Sequence, residues 1–175
     1  KRGGEEEEFP REAEAPYHNV LYNKVVSKTN IILGSTLLKL TLGYQNDQRA
    51  EYEPDSLDIM NKQGYAYLDM LLQSYTYDAR WQVPSGKRFS SIIGTQGMLQ
   101  SNNNYGAKRL VPNGTVNDAA GFYIAKLNLN PVNIEGGFRY DSRSINTTAF
   151  GIVGKEDYMP ALSRSFNNAS GSIGA

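Results

Sequence analysis

Val132-Asn133-Ile134-Glu135-Gly136-Gly137-Phe138-Arg139-Tyr140-Asp141 alternates apolar or small residues with polar or charged ones over ten positions. Successive side chains of a strand point to opposite faces, so this run builds a strand with one apolar and one polar side. Leu38, Leu40, Leu42 and Tyr44 do the same against Lys39, Thr41, Gly43 and Gln45. Tyr123, Ala125, Leu127 and Leu129 against Lys126 and Asn128 give a third, weaker case. Ala66–Trp81 and Phe89–Gln100 are long and β-prone, but their parity is less clean, which leaves room for a bulge in each. Tyr17–Val26 and Phe166–Ala175 complete a count of seven strands.

The connections sort by length. Short ones fall at Leu33-Gly34-Ser35, at Val83-Pro84-Ser85-Gly86-Lys87 and at Asn130-Pro131, where the residues are turn formers. Long polar ones fall at Asn46–Gly64, Ser101–Asn117 and Ser142–Ser165. Strict alternation of short and long connections is the organisation of an up-and-down barrel in an outer membrane, with short periplasmic turns and long external loops. Tyr44, Tyr75, Tyr77, Tyr140 and Trp81 are expected near strand ends, as an interfacial aromatic girdle. Bacterial single-chain barrels have an even number of strands, from about eight upward. Seven therefore predicts a segment of a larger barrel, because an unclosed sheet leaves backbone groups unpaired in lipid.

Composition narrows the alternatives. The 175 residues hold 17 Gly, 12 Tyr, one His, one Trp and no Cys, which is β-rich and excludes disulfides and thiolate metal sites. No stretch nears the roughly 18 apolar residues of a transmembrane helix. Net charge is zero, so there is no electrostatic footprint for nucleic acid. Residues 1–16 carry Glu5, Glu6, Glu7, Glu8, Glu12 and Glu14 and read as a charged loop, with the strands confined to 17–175.

Several runs resemble the barrel of TonB-dependent outer-membrane receptors, the siderophore-type transporters of Gram-negative bacteria. They are Leu37–Glu53 (LLKLTLGYQNDQRAEYE), Ser74–Tyr77 (SYTY), Gly94–Gly106 (GTQGMLQSNNNYG) with Leu110-Val111-Pro112, Gly136–Asp141 (GGFRYD) and Ser165–Ala175 (SFNNASGSIGA). The resemblance runs from about Tyr17 to Ala175 with gaps in the loops; no plug domain and no TonB box accompany it. It implies part of a barrel of about 22 strands in the outer membrane. The implied activity is uptake of a scarce ligand such as a metal chelate or siderophore. The implied partners are membrane lipid and lipopolysaccharide, a plug domain, the remaining strands, the TonB energy-transducing complex and possible neighbouring outer-membrane proteins. Neither a catalytic residue nor a cofactor is implied.

Candidate residues follow from position. Asn102, Asn103, Asn104 and Tyr105, with Lys108 and Arg109, are expected on an external loop, where amides, a phenol and cations suit an anionic chelate or lipopolysaccharide phosphate; turn chemistry is their plainer reading. Glu135, Arg139 and Asp141 share the polar side of their strand and are expected to face a lumen or plug. Arg49, Glu51 and Glu53 read as a charge ladder on the wall. His18 without a second ligand reads as structural, and Asp47, Glu51, Glu53, Asp55 and Asp58 read as a solvated loop rather than a cation site. A passive porin or a structural barrel in a larger complex is the alternative function. A barrel enzyme would have to use His18, and a soluble sandwich or lipocalin-like binder would purify without detergent.

Overall fold

A computed structural model describes residues 16–52, 66–84 and 86–175. They form β1 (Tyr17–Leu33), β2 (Thr36–Tyr52), β3 (Leu68–Pro84), β4 (Phe89–Asn104), β5 (Gly114–Leu129), β6 (Val132–Thr147) and β7 (Leu162–Gly174). Every strand pairs antiparallel with its sequence neighbour in one open sheet of order β1 to β7, so β1 and β7 are its edges. The protein is all-β and up-and-down. Short connections at 34–35, 85–88 and 130–131 share one end of the sheet, and long ones share the other.

The strands exceed their expected lengths. β1 continues to Leu33 rather than stopping at Val26, and β5 begins at Gly114 rather than after Asn117. Pairing is unbroken from Leu37–Gln82 to Glu51–Leu68, and from Pro84–Ser90 to Met70–Asn104. β3 and β4 therefore contain no bulge. Because strands run on past them, Tyr44, Tyr75, Tyr77 and Tyr140 sit in mid-strand and not at strand ends. Trp81 alone of that set lies near an end.

Unbroken register lets each side of the sheet be read off the pairing. One side collects Val25, Leu38, Leu40, Leu42, Tyr44, Tyr75, Tyr77, Trp81, Ile93, Leu99, Tyr123, Leu127, Ile134, Phe138 and Tyr140. Of the sixteen Asp, Glu, Lys and Arg residues in the seven strands, fifteen lie on the opposite side; only Asp69 shares the apolar one. The apolar side stops short of the long loops. Beyond Tyr44 it continues as Asn46 and Gln48, and beyond Tyr140 as Ser142, Ser144 and Asn146.

Among the described residues the sheet is one layer thick, and no packed core forms. Ala50, Leu68 and Ala120 are the buried apolar residues, whereas Val25, Tyr75, Leu99 and Phe138 are more than half exposed. Ordinary domains bury an apolar face against a second layer. Here the described residues supply none.

Hydrogen-bonded rows run obliquely to the ends of the sheet. The row Ile32–Leu37–Gln82–Ile92–Ile124–Gly137 starts one residue from the end of β1 but meets β5 five residues before its end. At the other end, Tyr22 lies five residues inside β1, while its row reaches Gly114, Thr147 and Leu162 at strand termini. The limit of the apolar side moves with them, from Tyr44 on β2 to Tyr140 on β6. The stagger is thus about one residue per strand. With a rise of roughly 3.3 Å and a strand spacing of roughly 4.8 Å, the strands lean by about 35° from the normal to that limit.

Candidate functional site

The polar side carries a charged cluster spanning β3 to β6. Arg80, Gly94, Phe122 and Arg139 fall on one hydrogen-bonded row, and Asp78, Gln96, Ala120 and Asp141 on the next. Two residues apart on one strand means the same side, so Asp78–Arg80 and Arg139–Asp141 both pair along their own strands. Arg80 Nε donates to Asp78 Oδ1 at 2.8 Å and Nη2 to Oδ2 at 2.9 Å. Arg139 grips Asp141 through Nε at 2.8 Å and Nη2 at 2.6 Å. The Gln96 amide oxygen, turned toward Arg139, accepts from Nη2 at 2.8 Å and Nη1 at 3.1 Å.

Phe122 joins the two arginines. Its ring lies 5.9 Å from the Arg80 guanidinium carbon and 6.0 Å from that of Arg139, within cation–π range. The ring can lie down across the sheet because position 94 is glycine. One row nearer the long loops, Arg143 Nε and Nη2 donate to Asp118 across β5 and β6 at 2.6 and 2.7 Å. Each arginine of the cluster has its own carboxylate, so the region is self-compensated. A concavity of about 570 Å³ opens over Gln96, Asp118, Arg139, Asp141 and Arg143.

Sequence placed Arg139 and Asp141 on one side of a strand, and they are direct partners. Glu135 is on the same side but four residues away from Arg139, opposite Lys126. Asp78, Arg80, Gln96 and Phe122 were missed. The acid–x–arginine spacing of Asp78 and Arg80 repeats that of Arg139 and Asp141 and was the available signal.

The second candidate set divides. Asn102, Asn103 and Asn104 are the last residues of β4 and not part of a loop. Asn103 faces the apolar side, its neighbours the charged side. Asn104 is 3% exposed and staples the following turn, donating from Nδ2 to the Val111 carbonyl at 3.0 Å and to Asn113 Oδ1 at 2.8 Å. Turn chemistry accounts for it. Tyr105, Lys108 and Arg109 do lie in the 105–113 loop. Tyr105 is exposed, Lys108 Nζ lies 5.2 Å from the Tyr67 ring, and the Arg109 guanidinium lies 4.3 Å from the Phe150 ring. Arg109 thereby ties this loop to the 148–161 loop, which is further held by Thr148 N donating to the Asn113 carbonyl at 2.9 Å.

His18 Nδ1 lies 3.4 Å from Glu51 and faces the charged side with Arg49. Glu53, Asp55 and Asp58 lie outside the described residues. Among the described residues no three His, Asp or Glu side chains gather where they could hold a metal ion. Compared with known proteins, the chain matches no protein-family model, no curated protein sequence and no solved structure.

Proposed function

We propose that this chain forms part of the wall of an outer-membrane β-barrel of the TonB-dependent receptor type, which takes up a scarce ligand such as a metal chelate or siderophore. The observation that carries the reading is the segregation of charge: fifteen of sixteen strand charges on one side, and an apolar side on which none of the described residues packs a second layer. An exposed apolar surface of that extent marks contact with lipid or another protein. Between Tyr75 and Val83, and between Val132 and Tyr140, the apolar stretch is nine residues long. That is what a tilted strand needs to cross a bilayer, about 9–11 residues. The lean of about 35° agrees with the tilt of strands in closed barrels, about 35–45°.

On this reading the barrel belongs to a Gram-negative cell, further strands complete it beyond β1 and β7, and the charged side faces a lumen with a plug. The tyrosines meet the lipid headgroups and lipopolysaccharide, and a TonB complex supplies energy. The self-compensation of Arg80, Arg139 and Arg143 favours one other reading, a passive porin or structural barrel whose wall needs no interior partner.

The test is gene-dependent uptake by whole cells under metal limitation, with and without a protonophore. Uptake that the protonophore abolishes supports an energised receptor. Protonophore-insensitive uptake would replace it with the passive barrel. Recovery of the protein in detergent-free extract would overturn both.

A further inference from the structure

The charged side is compensated over β3 to β6 but not over β1 and β2. Lys24, Lys28 and Lys39 all face it, and among the described residues none belongs to an ion pair. Lys39 stands directly opposite Arg80, a like-charge juxtaposition that costs stability. Two carboxylates share the neighbourhood. Asp78, opposite Thr41, is held by Arg80 through both oxygens. Asp47 lies two residues beyond Gln45 and is not within ion-pair distance of Lys24. Among the described residues positive charge is therefore in excess here.

Against this strip the sheet is hollowed. A concavity of about 220 Å³ is lined by Lys24, Thr41, Gln45, Ser74 and Thr76, with Gly43 at its floor. A Cβ at Gly43 would come within 2.5 Å of Thr76 Oγ1, so glycine keeps the floor open. Ser74 Oγ accepts from Gln100 Nε2 at 2.9 Å, which leaves its own proton to donate elsewhere. A lysine, three hydroxyl-bearing residues and a glutamine line a space of small-molecule size. Carboxylate, sulfonate and phosphate groups are recognised by such donors.

We infer that Lys24, Thr41, Ser74 and Thr76, with Lys28 and Lys39 beside them, form a binding site for anionic solutes on the lumenal side of the barrel. The inference rests on the barrel reading for the word lumenal, and the experiment separates the two. The 175 residues hold no cysteine, so one placed among them is the only thiol of this segment, and the protein without it serves as the background. Val25 and Val26 are neighbours on opposite sides of β1, and Val26 borders the concavity. In outer membranes holding the full protein, Val25→Cys and Val26→Cys are treated with a sulfonate-bearing and a trimethylammonium-bearing methanethiosulfonate.

A cationic site concentrates anions locally by about tenfold or more. Relative to free cysteine, Val26→Cys should therefore favour the anionic reagent by about tenfold, and K24Q/K28Q/K39Q should erase the preference. Lys28→Glu alone should reverse it, which guards against a triple variant that does not assemble. A ratio for Val26→Cys equal to that of free cysteine, or no reaction of Val26→Cys with either reagent, would overturn the site. Val25→Cys should resist both reagents. If it reacts as fast as Val26→Cys, the barrel reading fails while the ratio at Val26 still judges the anion site.

Discussion

The Cζ edge of the Phe122 ring occupies the space that a side chain on Gly94 would take. The two residues are direct cross-strand partners, and the ring covers a gap in the sheet that glycine leaves. Gly94→Ala should displace the ring from Arg80 and Arg139 and cost roughly 1–3 kcal/mol, as overpacking does. Phe122→Leu in the same chain should recover part of that loss. Denaturant unfolding of the two single variants and the double variant checks it; strict additivity would separate the residues.

Charge should be tolerated on one side only. Ala79 lies amid the apolar side and Asn30 on the charged side. In phospholipid vesicles Ala79→Arg should cost roughly 2–4 kcal/mol, the penalty for a cation near a bilayer midplane. Asn30→Glu, which would stand opposite Lys39, should stay within about 0.5 kcal/mol, as most exposed substitutions do. Equal costs in guanidinium unfolding would remove the distinction between the sides.

Arg139 and Arg143 should differ although both grip an aspartate. Arg143 is the more exposed, with 55% of its side chain accessible, and among the described residues its guanidinium hydrogen-bonds to Asp118. Arg143→Met should change stability by less than about 1 kcal/mol, the range of a surface ion pair. Arg139→Met also loses Gln96 and the Phe122 ring and should cost about 1–2 kcal/mol. A larger loss at 143 than at 139 would contradict the cluster described above.

Asn104→Ala should loosen the 105–113 loop. It deprives the Val111 carbonyl of its donor and removes one of the two donors to Asn113 Oδ1, the backbone N–H of residue 104 remaining, at a cost of roughly 1–3 kcal/mol. Limited proteolysis should cut this loop faster in Asn104→Ala, and at an unchanged rate in Asn103→Ala. Similar rates for both would demote the staple.

Legibility in the sequence tracked contrast between the two sides. From Leu38 to Tyr44 an apolar residue alternates with a polar one, and the strand was read correctly. From Asn46 to Arg49 both sides are polar. The pleat persists there without leaving a trace in composition, and the strands were drawn too short. The same loss of contrast put Asn102, Asn103 and Asn104 in a loop. Arg139 and Asp141 were legible because they are two residues apart on one strand. Arg80 and Phe122 are brought to Arg139 by register across three strand pairings, which no local pattern encodes.

The stagger of one residue per strand turns each row of side chains into a ramp. Lys39, Arg80, Phe122 and Arg139 are level with one another along the hydrogen bonds, but not with respect to the apolar limit. Four strand spacings at that lean raise Arg139 above Lys39 by roughly 11 Å toward the long loops. A molecule descending from the loops would thus meet the neutralised Arg143 and Arg139 before the bare Lys28 and Lys39, a spiral stair from balanced to positive charge.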